Sequence, residues 1–305
     1  MKLEGIHHVT AITGDAVGNV DFYARVLGLR MVKKTVNFDA PDVYHLYYGD
    51  ELGHPGSAMT FFEFPGAPRG RAGAGMVHRV AWRVRDEAAL DFWAVRLEGQ
   101  GVSAQRGEGT LRFADPEGLA LELVVTGVPD EPLAAAAPDV PEEHALLGFD
   151  GVRAFSARPG ASRPLFEEWL RFTPAGDDAW DVIGDARRSR YSFDAAPAAR
   201  GRPGGGTVHH VAWACPDADH EAWRERALEA GAHVTPVIDR EYFKSIYFRE
   251  PSGVLFEIAT QSPGFTVDEP AETLGQELRL PKQHEHLRER LERTLTPLRN
   301  PRPDR

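Results

Sequence analysis

Gly206-Thr-Val-His-His-Val-Ala-Trp213 is a near copy of Gly75-Met-Val-His-Arg-Val-Ala-Trp82, and Glu250-Pro-Ser-Gly-Val-Leu-Phe-Glu-Ile258 copies Asp115-Pro-Glu-Gly-Leu-Ala-Leu-Glu-Leu123. A shared opening and a shared ending imply one structural unit used twice, which decides the architecture before local propensity is consulted. Between these landmarks Leu90, Trp93 and Leu97 in one copy, and Trp223, Ala227 and Ala230 in the other, fall at helical spacing, and each run stops at a glycine, near Gly99 or at Gly231. β-rich runs follow, from Gly101 to Ser103 and from Thr110 to Phe113 in one copy, from His233 to Ile238 and from Ser245 to Phe248 in the other. The unit reads strand, helix, then three strands.

Two weaker copies complete the set. Gly5-Ile-His-His-Val-Thr-Ala-Ile12 opens a unit whose helix is expected from about Asp15 to Leu27, and Gly148-Phe-Asp-Gly-Val-Arg-Ala-Phe155 opens another with Leu165, Trp169 and Leu170 in its helix. Stretches rich in Gly, Pro and Ala separate them, giving modules at 1–66, 75–127, 146–197 and 205–260 and a C-terminal tail at 261–305. The expected class is α+β: four βαβββ modules that pair into two curled-sheet barrels, because a half-buried sheet of four strands cannot close its own core. In the tail, Lys282 to Leu295 reads as a charged amphipathic helix behind Pro281, with Leu287, Leu291 and Leu295 on one face and His284 and His286 in solvent.

Lys plus Arg number 35 against 46 Asp plus Glu in 305 residues, a formal charge of −11, which disfavours nucleic acid and anionic lipid as partners. The single Cys215 can close no intramolecular disulfide. With no signal-type apolar region at the start and no apolar stretch near the ~18 residues of a membrane span, a cytoplasmic, membrane-free protein is expected.

The chemistry rests on position-matched residues. His8 and His210 sit at one place in the first strand of modules one and four, and Glu257 lies in the apolar run Val254 to Ala259, which reads as a buried strand. An ionised carboxylate buried there costs several kcal/mol unless a cation meets it. Two imidazoles and one carboxylate form a facial ligand set that leaves positions open on a hexacoordinate ion. In module two the place of His210 holds Arg79 and that of Glu257 holds Glu122, while in module three Gly151 stands where His8 would be. An Arg79–Glu122 ion pair is therefore expected in a vestigial, metal-free cavity, with the functional site built by modules one and four.

Several neighbours need separate weighing. Alternation sends His7 and His209 to the strand face opposite His8 and His210 unless a bulge intervenes, which leaves structural and site-supporting roles both open. Thr10 shares a face with His8 and could offer its hydroxyl to a substrate. Arg240 and Tyr247, between the metal-ligand positions of module four, are candidate donors to a substrate oxygen. Glu63 could add a fourth ligand if a bulge shifted it, and a two-His, two-Glu site would suit a Lewis-acid isomerase or lyase. His45, His54, His144, His220 and His233 have no matched partners and are read as structural or exposed.

The opening Gly5-Ile-His-His-Val-Thr10, the runs Leu29 to Asp39 and Tyr44 to Asp50, Met59-Thr-Phe-Phe62, His209-His-Val-Ala-Trp213 and Phe256-Glu257 together resemble the vicinal oxygen chelate superfamily, with its glyoxalase/bleomycin-resistance fold. Within it they resemble the four-module ring-cleaving dioxygenases that act on hydroquinones. The resemblance covers nearly the whole chain. It implies Fe(II), or Mn(II), on His8, His210 and Glu257, with His209, Arg240, Tyr247, His7 and Thr10 around a small aromatic substrate and O₂. The implied reaction is extradiol-type ring cleavage, an oxidoreductase step of aromatic degradation, and a homo-oligomer is compatible with it. Two other readings compete: a glyoxalase-like isomerase or lyase with Zn(II) or Ni(II), which needs Glu63 on the metal, and a non-catalytic drug- or quinone-binding protein, which needs no ligands at all.

Overall fold

The computed structural model describes residues 1–301, so residues 302–305 of the expected tail lie outside the described residues. Module one supplies β1 (Ile6–Thr13), α1 (Ala16–Val20) running into a π-helical turn (Asp21–Val26), β2 (Arg30–Val36), β3 (Tyr44–Gly49) and β4 (Ala58–Glu63). Module two supplies β5 (Met76–Val84), α2 (Glu87–Gly99), β6 (Gln105–Gly107), β7 (Thr110–Ala114) and β8 (Ala120–Val125). Module three has β9 (Phe149–Ser156), a π-helical turn (Leu165–Trp169), β10 (Thr173–Pro174), β11 (Ala179–Ile183) and β12 (Arg188–Ala195). Module four has β13 (Thr207–Cys215), α3 (His220–Glu229), β14 (Ile238–Asp239), β15 (Lys244–Arg249) and β16 (Leu255–Thr260).

These strands form two eight-stranded sheets. One runs β14-β15-β16-β13-β1-β4-β3-β2 and the other β10-β11-β12-β9-β5-β8-β7-β6. The first joins modules one and four through the antiparallel β1–β13 pair, and the second joins modules two and three through β5–β9. Opposite ends of the chain therefore share one sheet.

Local chemistry sets the elements. Asp15 and Asp86 cap the helices of modules one and two by accepting from the backbone N–H groups of Gly18 and Ala89 at 3.0 and 2.9 Å. Leu90, Trp93 and Leu97 on α2, and Trp223 and Ala227 on α3, are the buried stripe. Of the expected strand from His233 to Ile238, only β14 forms, because Pro236 has no N–H to give a ladder. Gly101 to Ser103 is likewise not a strand. Between the sheets Trp213, Tyr191, Phe166 and Phe256 pack ring against ring with centroids 5.1–5.9 Å from their neighbours.

The tail covers the edge strand β2, which would otherwise offer an unpaired ladder. The Arg279 N–H donates to the Lys34 carbonyl at 2.9 Å, and the fully buried Lys33 ammonium sits between Asp268, at 2.6 Å, and Glu269. The expected helix from Lys282 to Leu295 is shorter than its pattern. Lys282–Leu287 is a 3₁₀ stretch and only Arg288–Thr294 (α4) is α-helical. Within the tighter segment His284, expected in solvent, is half-buried and donates to the Phe38 carbonyl at 2.8 Å, while His286 is exposed. Among the described residues no helix is long and apolar enough to cross a membrane.

Candidate metal centre

Two neighbouring strands bring His8 and His210 together, and a third adds Glu257. In register, Thr10 stands opposite His210, His8 opposite Ala212, and Ala212 beside Glu257. His8 Nε2 lies 3.1 Å from His210 Nε2, and Glu257 Oε2 lies 3.3 Å from the former and 2.9 Å from the latter. Among the described residues this is the one group of three or more His, Cys, Asp or Glu whose ligand atoms lie within 4.8 Å of one another.

The charge balance of this cluster points to a cation. Glu257 is fully buried; its Oε1 accepts from the Ser245 hydroxyl, whereas Oε2 accepts no well-directed hydrogen bond. Burial alone would raise this carboxyl; positive charge on the imidazoles of His8 and His210 lowers it well below the usual carboxylate range, and a cation held between them would do the same with both rings neutral. Burial in turn pushes His210 down, toward the neutral form that ligates metals. An orphaned carboxylate oxygen facing two imidazole nitrogens in a dry site is costly as it stands and suits a divalent ion with nitrogen and oxygen ligands.

His7 and His209 explain how the nitrogens are aimed. In the β1–β13 register, His7 and His209 are the residues skipped at the two irregularities, between Ile6 and His8 and between Thr10 and Ala11. Both are bulged, so the alternation that would send them to the far face is broken. His7 Nδ1 lies 2.9 Å from His8 Nδ1, and His209 Nδ1 lies 2.8 Å from His210 Nδ1. His7 Nε2 faces the Thr260 carbonyl at 3.1 Å, which can only accept, so this nitrogen carries the proton. Burial pushes His7 down to about 3 and keeps it neutral, leaving Nδ1 as an acceptor for the His8 Nδ1–H. With its Nδ1–H given to His7, His8 can turn a bare lone pair at Nε2 toward Glu257 and His210.

A cavity of about 370 Å³ opens on this cluster. Phe38, Phe62, Phe64 and Phe243 give it aromatic walls, and Arg240 and Tyr247 enter from module four. The Arg240 Nε–H donates to the Tyr247 hydroxyl at 3.2 Å, and the guanidinium lies over the rings of Phe38 and Tyr247, 5.6 and 5.4 Å from their centroids. Burial and the Glu257 charge push the Tyr247 phenol well up, so it keeps its proton. His209 lines the cavity too, and burial lowers it to about 4. Thr10 is fully buried, with its hydroxyl 2.8 Å from that of Thr60, the residue that stands in module one where Glu257 stands in module four.

Glu63 stands apart from this cluster. Thr60 and Phe62 face the site, so alternation turns Glu63 with Phe61 to the other side of β4, where its carboxylate accepts from the Ala16 N–H and burial raises it. The reading as a two-His, two-Glu isomerase or lyase loses its fourth ligand with it. His45, read from sequence as structural or exposed, instead lines the cavity, as does Tyr47. For Tyr47 the available signal was its match to Tyr247, since it stands opposite Thr60 as Tyr247 stands opposite Glu257, whereas the counterpart of His45 is Ser245 and gives no hint of an imidazole.

The second sheet carries the expected Arg79–Glu122 pair at 3.5 Å, with Arg112 added: its Nε–H donates to Glu122 Oε1 at 2.6 Å. His78 is bulged like His209, stacks on Phe155 with centroids 3.8 Å apart, and reaches Asp194 at 2.8 Å.

Paired βαβββ units with a two-histidine, one-carboxylate cluster where two modules meet in one sheet define a class of metal-centred proteins. Residues 5–123 and 144–258 match the Glyoxalase/Bleomycin resistance protein/Dioxygenase superfamily, and the chain belongs to that family. It is 42% identical over 312 residues, 97% of each chain, to MhqO of Bacillus subtilis (strain 168), which carries the provisional name of a ring-cleaving dioxygenase. It is 34% identical over 319 residues, 96% of each chain, to the chlorohydroquinone/hydroquinone 1,2-dioxygenase of Sphingobium indicum. A crystal structure of a provisional dioxygenase from Bacillus subtilis subsp. subtilis str. 168 superposes with a TM-score of 0.91 at 40% identity, covering 98% of both chains.

Proposed function

We propose that this protein is a ring-cleaving dioxygenase that uses Fe(II), with Mn(II) as the other candidate ion, to open a hydroquinone or related dihydroxy-aromatic ring with both atoms of O₂ in an extradiol manner. The observation that carries the reading is the unsatisfied Glu257 Oε2 facing two imidazole nitrogens at the foot of an aromatic-walled cavity. The Bacillus relative's name supports ring cleavage and the Sphingobium relative's name supports the hydroquinone class. His8, His210 and Glu257 would hold the ion through Nε2, Nε2 and Oε2. When bound, such an ion supplies open positions for a substrate oxygen and for O₂ on one centre.

The chain's own groups do the rest. Phe38, Phe62, Phe64 and Phe243 hold a flat ring and exclude water. Arg240 and Tyr247 donate to a substrate oxygen as it gains negative charge, and the raised Tyr247 phenol keeps the proton it donates. His209, whose Nδ1 accepts from the His210 Nδ1–H, keeps an Nε2–H that can donate at the cavity wall. The test is anaerobic loading with Fe(II), followed by oxygen uptake with a panel of hydroquinones and catechols. One O₂ consumed per hydroquinone, with loss of the ring absorbance, is expected; a loaded protein that consumes none with any member of the panel refutes the reading.

A further inference from the structure

Module one lends the cavity a second polar wall that neither the metal cluster nor the Arg240–Tyr247 pair uses. His45 and Tyr47 share one face of β3 and both line the cavity. The Tyr47 hydroxyl lies 2.9 Å from His45 Nδ1, His45 Nε2 lies 2.9 Å from the Thr60 hydroxyl, and that hydroxyl lies 2.8 Å from Thr10 Oγ1. The backbone explains the row: Tyr47 stands opposite Thr60, Thr60 opposite Thr10, and Thr10 opposite His210, across four adjacent strands. All four side chains in the chain of bonds are buried.

Counting donors and acceptors shows what this chain leaves over. A neutral imidazole carries one N–H, and a phenol carries one O–H and acceptor lone pairs. If His45 Nδ1 accepts from Tyr47, the Tyr47 oxygen keeps a lone pair to receive a hydroxyl. If Nδ1–H donates instead, the Tyr47 O–H itself is left to give. Either tautomer leaves one unspent function at Tyr47. Its aromatic neighbours do not absorb it: Phe265, at 5.0 Å between centroids, is apolar, and Tyr242, at 6.3 Å, commits its own hydroxyl to Asp268. A hydroxyl held by one bond and facing an aromatic cavity keeps this second function for an occupant to meet.

We propose that Tyr47 is the contact for the substrate oxygen remote from the metal cluster, with His45, Thr60 and Thr10 as positioning residues that fix its hydroxyl. The proposal rests on the dihydroxy-aromatic reading above and sharpens it. A ring with two opposed oxygens places one at the triad and offers the other to a wall, whereas a monophenol offers that wall nothing.

The experiment is equilibrium binding under argon to the metal-loaded protein, with hydroquinone and with 4-methylphenol, which replaces the second hydroxyl by a methyl group of similar size. Metal content is measured on every variant. Tyr47→Phe is expected to weaken hydroquinone about tenfold while leaving 4-methylphenol within about twofold, the loss of one buried hydrogen bond. Thr60→Val should repeat part of that selective loss and Thr60→Ser should restore it, a rescue that a packing role would not produce. Tyr48→Phe, on the opposite face of β3 with its hydroxyl on Asn19, should change neither ligand. An unchanged hydroquinone affinity in Tyr47→Phe, or an equal loss for both ligands, overturns the proposal. A wild-type protein that binds hydroquinone selectively but never consumes O₂ refutes the dioxygenase reading alone, and one that does not bind hydroquinone refutes both.

Discussion

Where one sheet holds His210, Glu257 and His8, the other holds Arg79, Glu122 and Gly151 at the same register positions. Both keep a carboxylate beside the central strand pair, so both face the cost of burying it. The second sheet answers with guanidinium groups from Arg112 and Arg79, at 2.6 and 3.5 Å, which occupy both oxygens of Glu122. The first leaves Oε2 of Glu257 without a hydrogen bond. A tethered guanidinium closes such a site, whereas a metal ion closes it electrostatically and leaves coordination positions for other molecules. The second sheet is also barred sterically from reverting, since a Cβ on Gly151 would meet the Arg190 carbonyl at 2.2 Å. If a metal ion fills the first sheet's cluster, the identity of the counter-cation, more than the fold around it, is what separates the two sites.

The most severe way to break this contrast is His210→Ala. It removes a nitrogen from the cluster and leaves Glu257 buried with His8 alone, so metal affinity should fall by more than about 100-fold and turnover with it. Metal content after gel filtration and oxygen uptake measure both. Retention of a full equivalent of metal would move the centre elsewhere.

What the two halves share is tested at Asp115. This residue opens the turn of module two as Glu250 opens that of module four, and each accepts from backbone N–H groups of its own turn and from a hydroxyl of the preceding module, Tyr23 for one and Ser162 for the other. Burial raises Asp115 from 3.8 to about 6. A carboxyl raised on folding favours the folded state below its unfolded value, and that contribution is lost as pH rises through about 6. Asp115→Asn keeps the acceptor oxygen without the charge. Its stability relative to wild type should therefore climb between about pH 4 and pH 7 by an amount on the order of 2–3 kcal/mol, read from urea melts at each pH. A constant difference across that range would show that the three donors already keep Asp115 ionised.

The repeat made the module pairing and the His8–His210–Glu257 cluster legible in sequence, because each ligand sits at a position whose counterpart could be inspected in another module. It could not show which residues lie between positions. His7 and His209 reach the cluster only because both are bulged, and a bulge in an antiparallel pair leaves no periodic trace. His45 was hidden for a related reason, since no counterpart of β3 carries an imidazole, whereas Tyr47 stands at the register position of Tyr247 and could have been found by that match. Glu63 needed a bulge to reach the cluster, and β4 has none at that point, so its parity keeps it on the far face with Phe61. The C-terminal helix is present but shorter than its pattern, because apolar spacing at Leu287, Leu291 and Leu295 is satisfied by a short helix as well as a long one.

The smallest effect separates the two sheets most cleanly. An isolated Arg79–Glu122 pair would make Arg79→Ala cost on the order of 3 kcal/mol, the penalty of an uncompensated buried carboxylate. The structure lowers that figure, because Arg112 stays bonded to Glu122 at 2.6 Å and the Arg79 side chain is 22% exposed, so water and a second cation share the charge. A loss of about 1 kcal/mol is expected, with oxygen uptake and metal content unchanged. Arg79→Ala combined with Arg112→Ala should cost more than the sum of the two single changes, because only the pair leaves Glu122 unmet. Additive losses would mean that Glu122 is solvated rather than paired, and the second sheet would then hold no closed counterpart of the metal cluster.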